Sequence, residues 1–525
     1  MKYLTLKLLS ASLADLVGAA KVGLDATALQ ARHMYNGHHL GAPIGGGEQN
    51  FDYWRGPMVR VPDEGTEADK RRAQGIVTEF QTALRRSFTS TNVLKEVIRR
   101  DVSSSSARMS WTIMQPSAQR AKDTDRTELE QEADTLASSW WSAGIEKAIR
   151  SALRYARREG RGVLRFRVAG GLFQMGEDKV LRVRAGAKPS DIARYIRLEC
   201  IDHPEHARIW EDPDTLNRRA VYTYKDSAER ECVEVSTVAD DTGLTHLRIL
   251  RGEQEQESSV ELDLGGLVHY LELAADPLIT PQFLQNQMAY NTTSTMILRN
   301  TELAGFLERY GINVEPPYEV IDDPDRPGQT KRMYKNPRTG PGSMTLWRQA
   351  TMPQSDAEGN YTGDRPTGTA EYGRFEPVSP QALITAAEHS QLNMYSEVGQ
   401  TFVLMGKDAT ASGRSREVAI ADFDTAREET IALAQAAVRD VITVFLALVS
   451  ALAQQARRYA QLEVQGTVRA RNVPSSPEDR KADREDVAAG VISRATARQR
   501  QDIDDPAQED AQIEKEAAPK TTEAP

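Results

Sequence analysis

Two histidines three residues apart, His203 and His206, are candidate ligands for a metal ion. His203 and His206 belong to the segment His-Pro-Glu-His, and imidazole nitrogens are common zinc ligands. The pair follows a strand-like run, Pro204 disrupts helical spacing, and no third ligand is evident nearby. The pattern therefore favours surface or turn histidines over a metal site. The same interpretation applies to His38 and His39 in a glycine-flanked arm.

The known catalytic and nucleotide-binding patterns that we sought do not occur in the sequence. The nearest approach to a phosphate-binding loop is TFVLMGKD, from Thr401 to Asp408. It lacks the first glycine of that motif, and Asp408 stands where a serine or threonine must follow the lysine. Neither HExxH nor GxSxG is found. We therefore expect no ATPase site, no catalytic residue, no metal and no cofactor.

The two cysteines give no sign of a disulfide framework. Cys200 and Cys232 lie in separate strand-like runs and have no metal-ligand spacing. We predict that both are small buried hydrophobic residues in a protein of a reducing compartment.

Length and composition indicate a multidomain protein that does not enter a membrane. The chain has 525 residues, of which 39% are hydrophobic and 27% charged, values typical of folded proteins. The longest apolar run, Val441 to Ala453, is shorter than the roughly 20 residues needed to cross a bilayer. Asp15 interrupts the apolar N-terminal segment, which predicts an amphipathic helix and no secretory signal.

The formal net charge of -10 argues against tight binding to duplex DNA, because such binding depends mainly on Lys and Arg contacts to phosphates. It does not exclude a channel for DNA. A channel must not bind the DNA that passes through it. Mild net repulsion between the acidic subunits and the DNA, together with a few cations, therefore favours sliding.

The spacing of apolar residues predicts helices up to about residue 158 and a different pattern beyond it. A helix is predicted over Asn92 to Asp101, and another begins with Asp125 as its N-cap, with Trp140 on its core face. From Gly162 to Leu273 the apolar period becomes two, which predicts at least five short antiparallel strands. The fold class is thus α+β and mainly helical.

The second half of the sequence predicts long helices around a small turn-rich module. Thr280 caps a helix that runs to about Glu308, and its many polar positions, such as Gln287 and Asn291, suit packing against copies of itself. Ser379 begins a returning helix. A loop from Gly399 to Arg416 follows, and then a single long helix from Glu417 to Tyr459 with a regular apolar stripe. The intervening residues 312–377 contain strand fragments at Tyr318 to Ile321 and Ser343 to Trp347 among many Gly and Pro residues.

The C-terminal segment Val491 to Glu516 resembles the crown signature of tailed-bacteriophage portal proteins. An apolar pair and a serine begin it, an Asp-rich turn from Asp502 to Pro506 follows, and alternating acidic and apolar residues end it. The order of elements along nearly the whole chain is also similar to that family. Ser412 and Gly413, ahead of a long helix, resemble a recurring Ser-Gly of the family's tunnel loop.

The resemblance implies a portal-type fold with wing, stem, clip and crown regions. It divides the chain as follows: N-terminal helix and arm, 1–60; wing, helical and then β-rich, 61–278; first stem helix, 279–308; small β-containing clip, 309–378; second stem helix, 379–400; tunnel loop, 401–416; long wing helix, 417–460; crown, 461–516; disordered tail, 517–525. The β-rich block is more elaborate than the family pattern requires.

The resemblance also assigns roles to two groups of cations. Lys407, Arg414 and Arg416 become candidate DNA contacts on the tunnel loop, and the alternative is an ordinary solvated loop. A second group within the clip becomes a candidate surface for docking an acidic partner or for facing DNA. Its members are Lys331, Arg332, Lys335 and Arg338.

The leading hypothesis is therefore a portal protein. It would form a homo-oligomeric ring, most often of twelve subunits in the family, at one capsid vertex of a virion assembled in the host cytoplasm. Double-stranded DNA would enter and leave through its channel. The implied partners are the terminase large subunit, a head-completion or adaptor protein, and the major capsid or scaffold protein.

Two alternatives stay open at this point. One is another virion morphogenesis or scaffold-type protein that forms no channel. The other is a hydrolase with an unrecognised site in the β-rich block, for which zinc bound near His203 would be evidence.

Overall fold

The computed structural model describes most of the chain between residues 18 and 487. The described ranges are 21–39, 88–116, 126–175, 181–183, 187–211, 216–226, 228–239, 242–251, 258–305, 309–315, 318–322, 330–334, 348–355, 361–374, 379–405, 413–455 and 457–470, with single residues at 18, 20, 66, 67, 71, 357, 481, 484, 485 and 487. The predicted N-terminal helix before residue 18, the crown segment 491–516 and the tail 517–525 lie outside them.

The chain divides into two compact units, each built from separate stretches of sequence. The first unit comprises Met1–Phe51, Asn92–Gln285 and Leu392–Pro525. The second unit comprises Asp52–Thr91 and Asn286–Gln391.

Helices and strands are both abundant in the described residues, which confirms the mixed α+β class. The helices are α1 Ala26–Tyr35, α2 Val93–Ser105, α3 Glu128–Trp140, α4 Ala143–Glu159, α5 Pro189–Ala193, α6 Pro281–Gly305, α7 Gln381–Glu397, α8 Phe402–Met405, α9 Gly413–Ala426 and α10 Glu428–Leu452. Single 3₁₀ turns occur at Gly170–Leu172 and Pro204–His206.

The strands lie in several small antiparallel sheets. They are β1 Arg108–Met114, β2 Arg161–Val168, β3 Phe173–Met175, β4 Leu181–Val183, β5 Ile196–Cys200, β6 Ala207–Glu211, β7 Arg218–Lys225, β8 Glu231–Val238, β9 Thr245–Arg251, β10 Ser258–Leu262, β11 Tyr270–Ala274, β12 Arg309–Ile312, β13 Val314–Glu315, β14 Tyr318–Asp322, β15 Thr330–Tyr334, β16 Arg348–Gln349, β17 Thr351–Ser355, β18 Tyr361–Pro366, β19 Glu371–Arg374 and β20 Glu463–Arg469.

Local capping residues set the start of the helices, as the sequence predicts in most cases. The Asn92 side chain accepts a hydrogen bond from the Lys95 amide at 2.9 Å and begins α2. The N-cap of α3 is Thr127, not Asp125 as predicted. Thr127 and Glu130 form a reciprocal capping box, which satisfies two amides that a helix start otherwise leaves unpaired.

The β-rich block of the first unit is antiparallel, as predicted. Five strands pair in the order β10-β9-β8-β7-β6, and three pair in the order β11-β2-β5. Residues of both sheets share one apolar cluster that includes Val163, Val238 and Tyr270. The two sheets therefore form a two-layer arrangement with a common core.

Helix α10 is the central helix of the first unit. The predicted stripe on this helix, including Val438, Ile442, Phe445 and Val449, is buried. The ring of Trp140 stacks on Phe445 at 4.0 Å between centroids, which confirms that Trp140 is a packing anchor. Among the described residues, one helix, Val418–Leu452, is long and apolar enough to cross a membrane by length and composition alone, and half of its most apolar window is buried.

Two elements of this core differ from the sequence prediction. The helix predicted from Glu417 to Tyr459 ends at Leu452. Arg427, the residue between α9 and α10, keeps right-handed helical angles, and helical hydrogen bonds of 3.0 Å join its amide to the Phe423 carbonyl and its carbonyl to the Ile431 amide. Gln454 has a left-handed backbone with φ of 57°, which a continuing helix cannot accommodate. Residues 463–469, assigned to the crown, instead form β20, which pairs with β1 and packs on α10.

The second unit contains four short antiparallel pairs: β12 with β19, β13 with β16, β14 with β15, and β17 with β18. Strand β14 confirms the predicted fragment at Tyr318 to Ile321, whereas the fragment at Ser343 to Trp347 lies outside the described residues. Two polar residues of α6 have partners within the second unit, and the packing of α6 against copies of itself stays a prediction. Gln287 donates to the Thr91 carbonyl at 2.7 Å and Asn291 accepts from the Thr91 amide at 3.2 Å.

Candidate functional site

The predicted tunnel loop is shorter than the sequence suggested. Part of it, Phe402–Met405, is the short helix α8, and α9 begins at Gly413. Arg414 and Arg416 thus belong to the first turn of a helix, while Lys407 lies outside the described residues. The reason is local, because the segment from Gly413 onwards carries good helix formers that extend α9 towards its N-terminus.

The candidate docking cations of residues 331–338 are only partly described. Lys331 and Arg332 are consecutive residues of β15, and their backbones pair with Ile321 and Val320 of β14. Lys335 and Arg338 lie outside the described residues. Whether these four cations form one surface therefore stays a prediction.

A cavity of about 620 Å³ opens at one edge of the two-layer β block. Strand β5 and the turn after it supply Cys200, Asp202 and His203, and β7 and β8 supply Tyr222 and Cys232. Strands β7 and β8 pair with each other, and packing between the two sheets brings β5 to them.

Arg165, which lines this cavity, belongs to a buried ionic cluster around Glu234. The Glu234 carboxylate accepts hydrogen bonds from Tyr270 Oη at 2.7 Å, from His269 Nε2 at 2.6 Å and from Arg165 Nε at 3.3 Å, and a second Arg165 nitrogen contacts its other oxygen. Burial alone would raise the pKa of Glu234, but the bond from His269 and the charge of Arg165 outweigh it and lower the pKa to about 2. Because an ionised carboxylate only accepts, His269 Nε2 carries the proton.

The cluster is structural because it leaves Glu234 no capacity for chemistry. Four donors occupy its two oxygens, and they come from β2, from β11 and from His269 just before β11. The Arg165 guanidinium also lies over the rings of Tyr222 and Tyr224, at 5.3 and 5.0 Å from their centroids. The cluster therefore joins β8 of one sheet to the facing sheet.

The cysteines of the cavity are not activated nucleophiles. Both are free thiols. Burial and the neighbouring Asp202 carboxylate raise the pKa of Cys200 to about 12, so its reactive thiolate form is disfavoured at neutral pH. Its Sγ lies 3.7 Å from the Ile201 carbonyl oxygen, to which it donates.

The paired histidines lie at the rim of the same cavity. His203 and His206 stack at 5.5 Å between ring centroids, and His203 Nδ1 is 3.2 Å from Glu205. In the part of the chain that the structure describes, no group of three or more His, Cys, Asp or Glu residues is placed to hold a metal ion.

A second cavity of about 250 Å³ lies on the other side of Arg165 and Tyr224, which line both. Its walls are mainly apolar and include Phe166, Leu247 and Leu448. Sequence reasoning missed the cluster that separates the cavities. Alternation gave no signal, because Glu234 lies between Val233 and Val235 and the pattern predicts that it faces solvent, whereas β8 is buried on both faces.

No protein-family model and no curated protein matches this chain.

Proposed function

We propose that this chain is the subunit of a portal-type ring that serves as the channel for double-stranded DNA at one capsid vertex. The observation that carries the proposal is the path of the chain between two helices. Helix α6 leaves the first unit, the described residues between 309 and 374 form short β pairs, and α7 returns to the first unit. This is the order of stem, clip and stem that the resemblance implies.

Apolar side chains on the surface of the isolated chain give further support. Leu298 on α6, Leu392 on α7 and Val418 on α9 are exposed, as are Ile312, Ile321, Met333 and Met352 in the β pairs of the second unit. Single exposed apolar residues are ordinary. Their presence on α6, α7, α9 and several strands of the second unit is what contacts between identical subunits would require, and Tyr195 and Leu216 of the β-rich block are exposed as well.

In the proposed mechanism the chain acts by position and not by catalysis. Helices α6 and α7 line the bore, and residues 401–416 form a ring of weak, exchangeable phosphate contacts. The β pairs between them recruit the terminase and later the head-completion or adaptor protein. The net charge of -10 per subunit keeps DNA from binding tightly as it moves.

A packaging assay with charge variants tests the role of residues 401–416. The double variant Lys407→Ala, Arg414→Ala should package several-fold less DNA, while its rings look unchanged by negative-stain electron microscopy. Lys225→Ala is the matched control, because its ammonium is exposed on β7 and contacts only Glu229 among its described neighbours, at 3.5 Å. Normal packaging by the double variant would remove the loop from the proposal.

A further inference from the structure

The cavity of about 250 Å³ runs along one strand of the β-rich block. Four residues at alternate positions of β9 line it, and they are Thr245, Leu247, Ile249 and Arg251. Alternate residues of a strand face the same side of the sheet. At about 3.3–3.4 Å per residue, the strand from Thr245 to Arg251 extends over roughly 20 Å. We call this cavity the β9 slot.

The β9 slot is closed at one end and open at the other. Thr245 is only 1% exposed. Leu247 and Ile249 are partly buried, and Arg251 is exposed. The mouth of the slot therefore lies at Arg251. A volume of 250 Å³ distributed over roughly 20 Å gives a mean cross-section of roughly 12 Å², which favours a linear chain of atoms over a ring.

The body of the slot is apolar. Besides the two aliphatic residues of β9, its walls include Val260 and Leu262 of β10, Leu264, and Leu448 of α10, all of them buried. An apolar cavity of about 150 Å³ binds benzene, so a cavity of this kind with 250 Å³ holds about ten carbon atoms. Burying a hydrocarbon chain there removes it from water, which is favourable.

The closed end of the slot offers no partner for a charged group. Leu262 lies opposite Thr245 in the β9–β10 ladder, and Leu264 lines the same cavity. The Thr245 hydroxyl already donates to the Leu267 carbonyl at 2.8 Å. Because a buried charge without a partner is strongly unfavourable, the inner end of a ligand must be apolar.

The ionic cluster around Glu234 lies beside the slot but is already satisfied. Glu234 is opposite Ile249 in the β8–β9 ladder. Both of its oxygens contact the Arg165 guanidinium, and one also accepts from His269 and Tyr270. The charge of Arg165 is thus compensated within the protein, so it does not attract an anion into the slot.

The mouth of the slot provides a cation that is open to solvent. Arg251 is exposed, and in the part of the chain that the structure describes its side chain makes no hydrogen bond or ion pair. Arg167 also lines the slot, but it pairs with Glu199 at 2.8 Å. A guanidinium is a good partner for a carboxylate. The anionic end of a ligand therefore belongs at Arg251.

We propose that the β9 slot binds a free monocarboxylate with a linear saturated chain of about ten carbons, whose methyl end lies at Thr245 and whose carboxylate contacts Arg251. A phospholipid does not fit, because it has two acyl chains and the slot has room for one. The inference goes beyond the proposed ring and does not depend on it.

Isothermal titration calorimetry of the full-length protein with hexanoate, octanoate and decanoate tests the fit. Each methylene that enters the slot should increase the affinity about fourfold, which is the factor expected for burying one CH₂ group. Dodecanoate should bind no more tightly than decanoate, because its additional methylenes lie outside the slot. One ligand should bind per chain.

Two variants locate the ends of the ligand. Arg251→Ala should weaken decanoate binding about two- to fivefold, as expected for an exposed ion pair, and should leave the affinity for decanol unchanged. Leu247→Phe narrows the slot, so it should weaken decanoate binding at least about tenfold while hexanoate still binds. Arg194→Ala is the matched control, because Arg194 is exposed and does not belong to the slot.

Three results would overturn the proposal. The first is the absence of decanoate binding to the wild type at about millimolar concentration. The second is an affinity that does not depend on chain length. The third is equal decanoate affinity in Arg251→Ala and Arg194→Ala, which would remove the carboxylate from Arg251. Arg251 is exposed, so its replacement leaves the core intact and the third result remains measurable even where Leu247→Phe fails to fold.

Discussion

Replacing Gly466 with alanine should strongly destabilise the first unit, because β20 packs on α10 without space for a side chain. In β20, Gly466 pairs with Trp111 of β1. A Cβ at this position would lie 2.1 Å from the Gln435 carbonyl oxygen and 2.9 Å from the Arg439 amide nitrogen. Both are backbone atoms of α10, so no side-chain rotation can relieve the clash.

The size of the effect follows from this overlap. Strand β20 must move by roughly 1 Å or more to restore an ordinary contact. We therefore expect the free energy of unfolding to fall by an amount at or above the upper end of the range of about 1–3 kcal/mol for overpacked cores. A loss of about 3 kcal/mol corresponds to a fall in Tm of about 4 °C for a unit of about 380 residues.

Thermal unfolding followed by near-UV circular dichroism measures the shift. Gly170→Ala is the matched control, since a Cβ there has no neighbour within 4 Å and its φ is not in the left-handed region. The control should change Tm by about 1 °C or less. Equal Tm values for Gly466→Ala and Gly170→Ala would refute the packing of β20 on α10.

Three further changes test other parts of the account. Glu234 is ionised, and its pKa is about 2 in the folded protein against 4.5 for an ordinary glutamate. Its contribution to stability is therefore present above pH 4.5 and is lost as the pH falls towards 2. Denaturant unfolding should show that the free energy of unfolding falls by about 3 kcal/mol over this window in the wild type but not in Glu234→Gln. Trp140→Phe removes the hydrogen bond from the indole nitrogen to the Ile196 carbonyl, which is 3.0 Å long. Urea unfolding should show a free energy of unfolding that is lower by about 1–3 kcal/mol. An unchanged urea midpoint would exclude the role of Trp140 as a packing anchor. Thr127→Ala breaks the capping box of α3 and should cost about 1 kcal/mol, with Thr135→Ala on the exposed face of α3 as the smaller control.

Helix starts could be predicted from the sequence because their signals are local. Asn92, Thr280 and Ser379 each lie next to the helix that they begin, and the amide of Phe283 donates to Thr280 Oγ1 at 3.1 Å as expected of an N-cap. The choice of Asp125 over Thr127 was wrong. Each residue has a capping side chain and a glutamate three positions on, Glu128 for Asp125 and Glu130 for Thr127, so this local signal does not distinguish them.

Pairings between distant segments could not be predicted in the same way. Ser110 of β1 contacts the Thr467 carbonyl across 357 positions of sequence. Both strands alternate, RMSWTIM in β1 and EVQGTVR in β20, but alternation does not indicate which strands pair. The ionic cluster was missed for a related reason. Arg165 and Glu234 are 69 positions apart, and strand alternation indicates which residues are buried but not which buried charges meet.

The mass and shape of the purified protein test the central claim most directly. The chain has a mass of 58.3 kDa, so a closed ring of about twelve subunits has a mass of about 700 kDa. Light scattering should give this mass, and negative-stain electron microscopy of the same sample should show rings with a central hole. A stable monomer or dimer at high concentration would contradict the proposed ring and favour a morphogenesis protein that forms no channel.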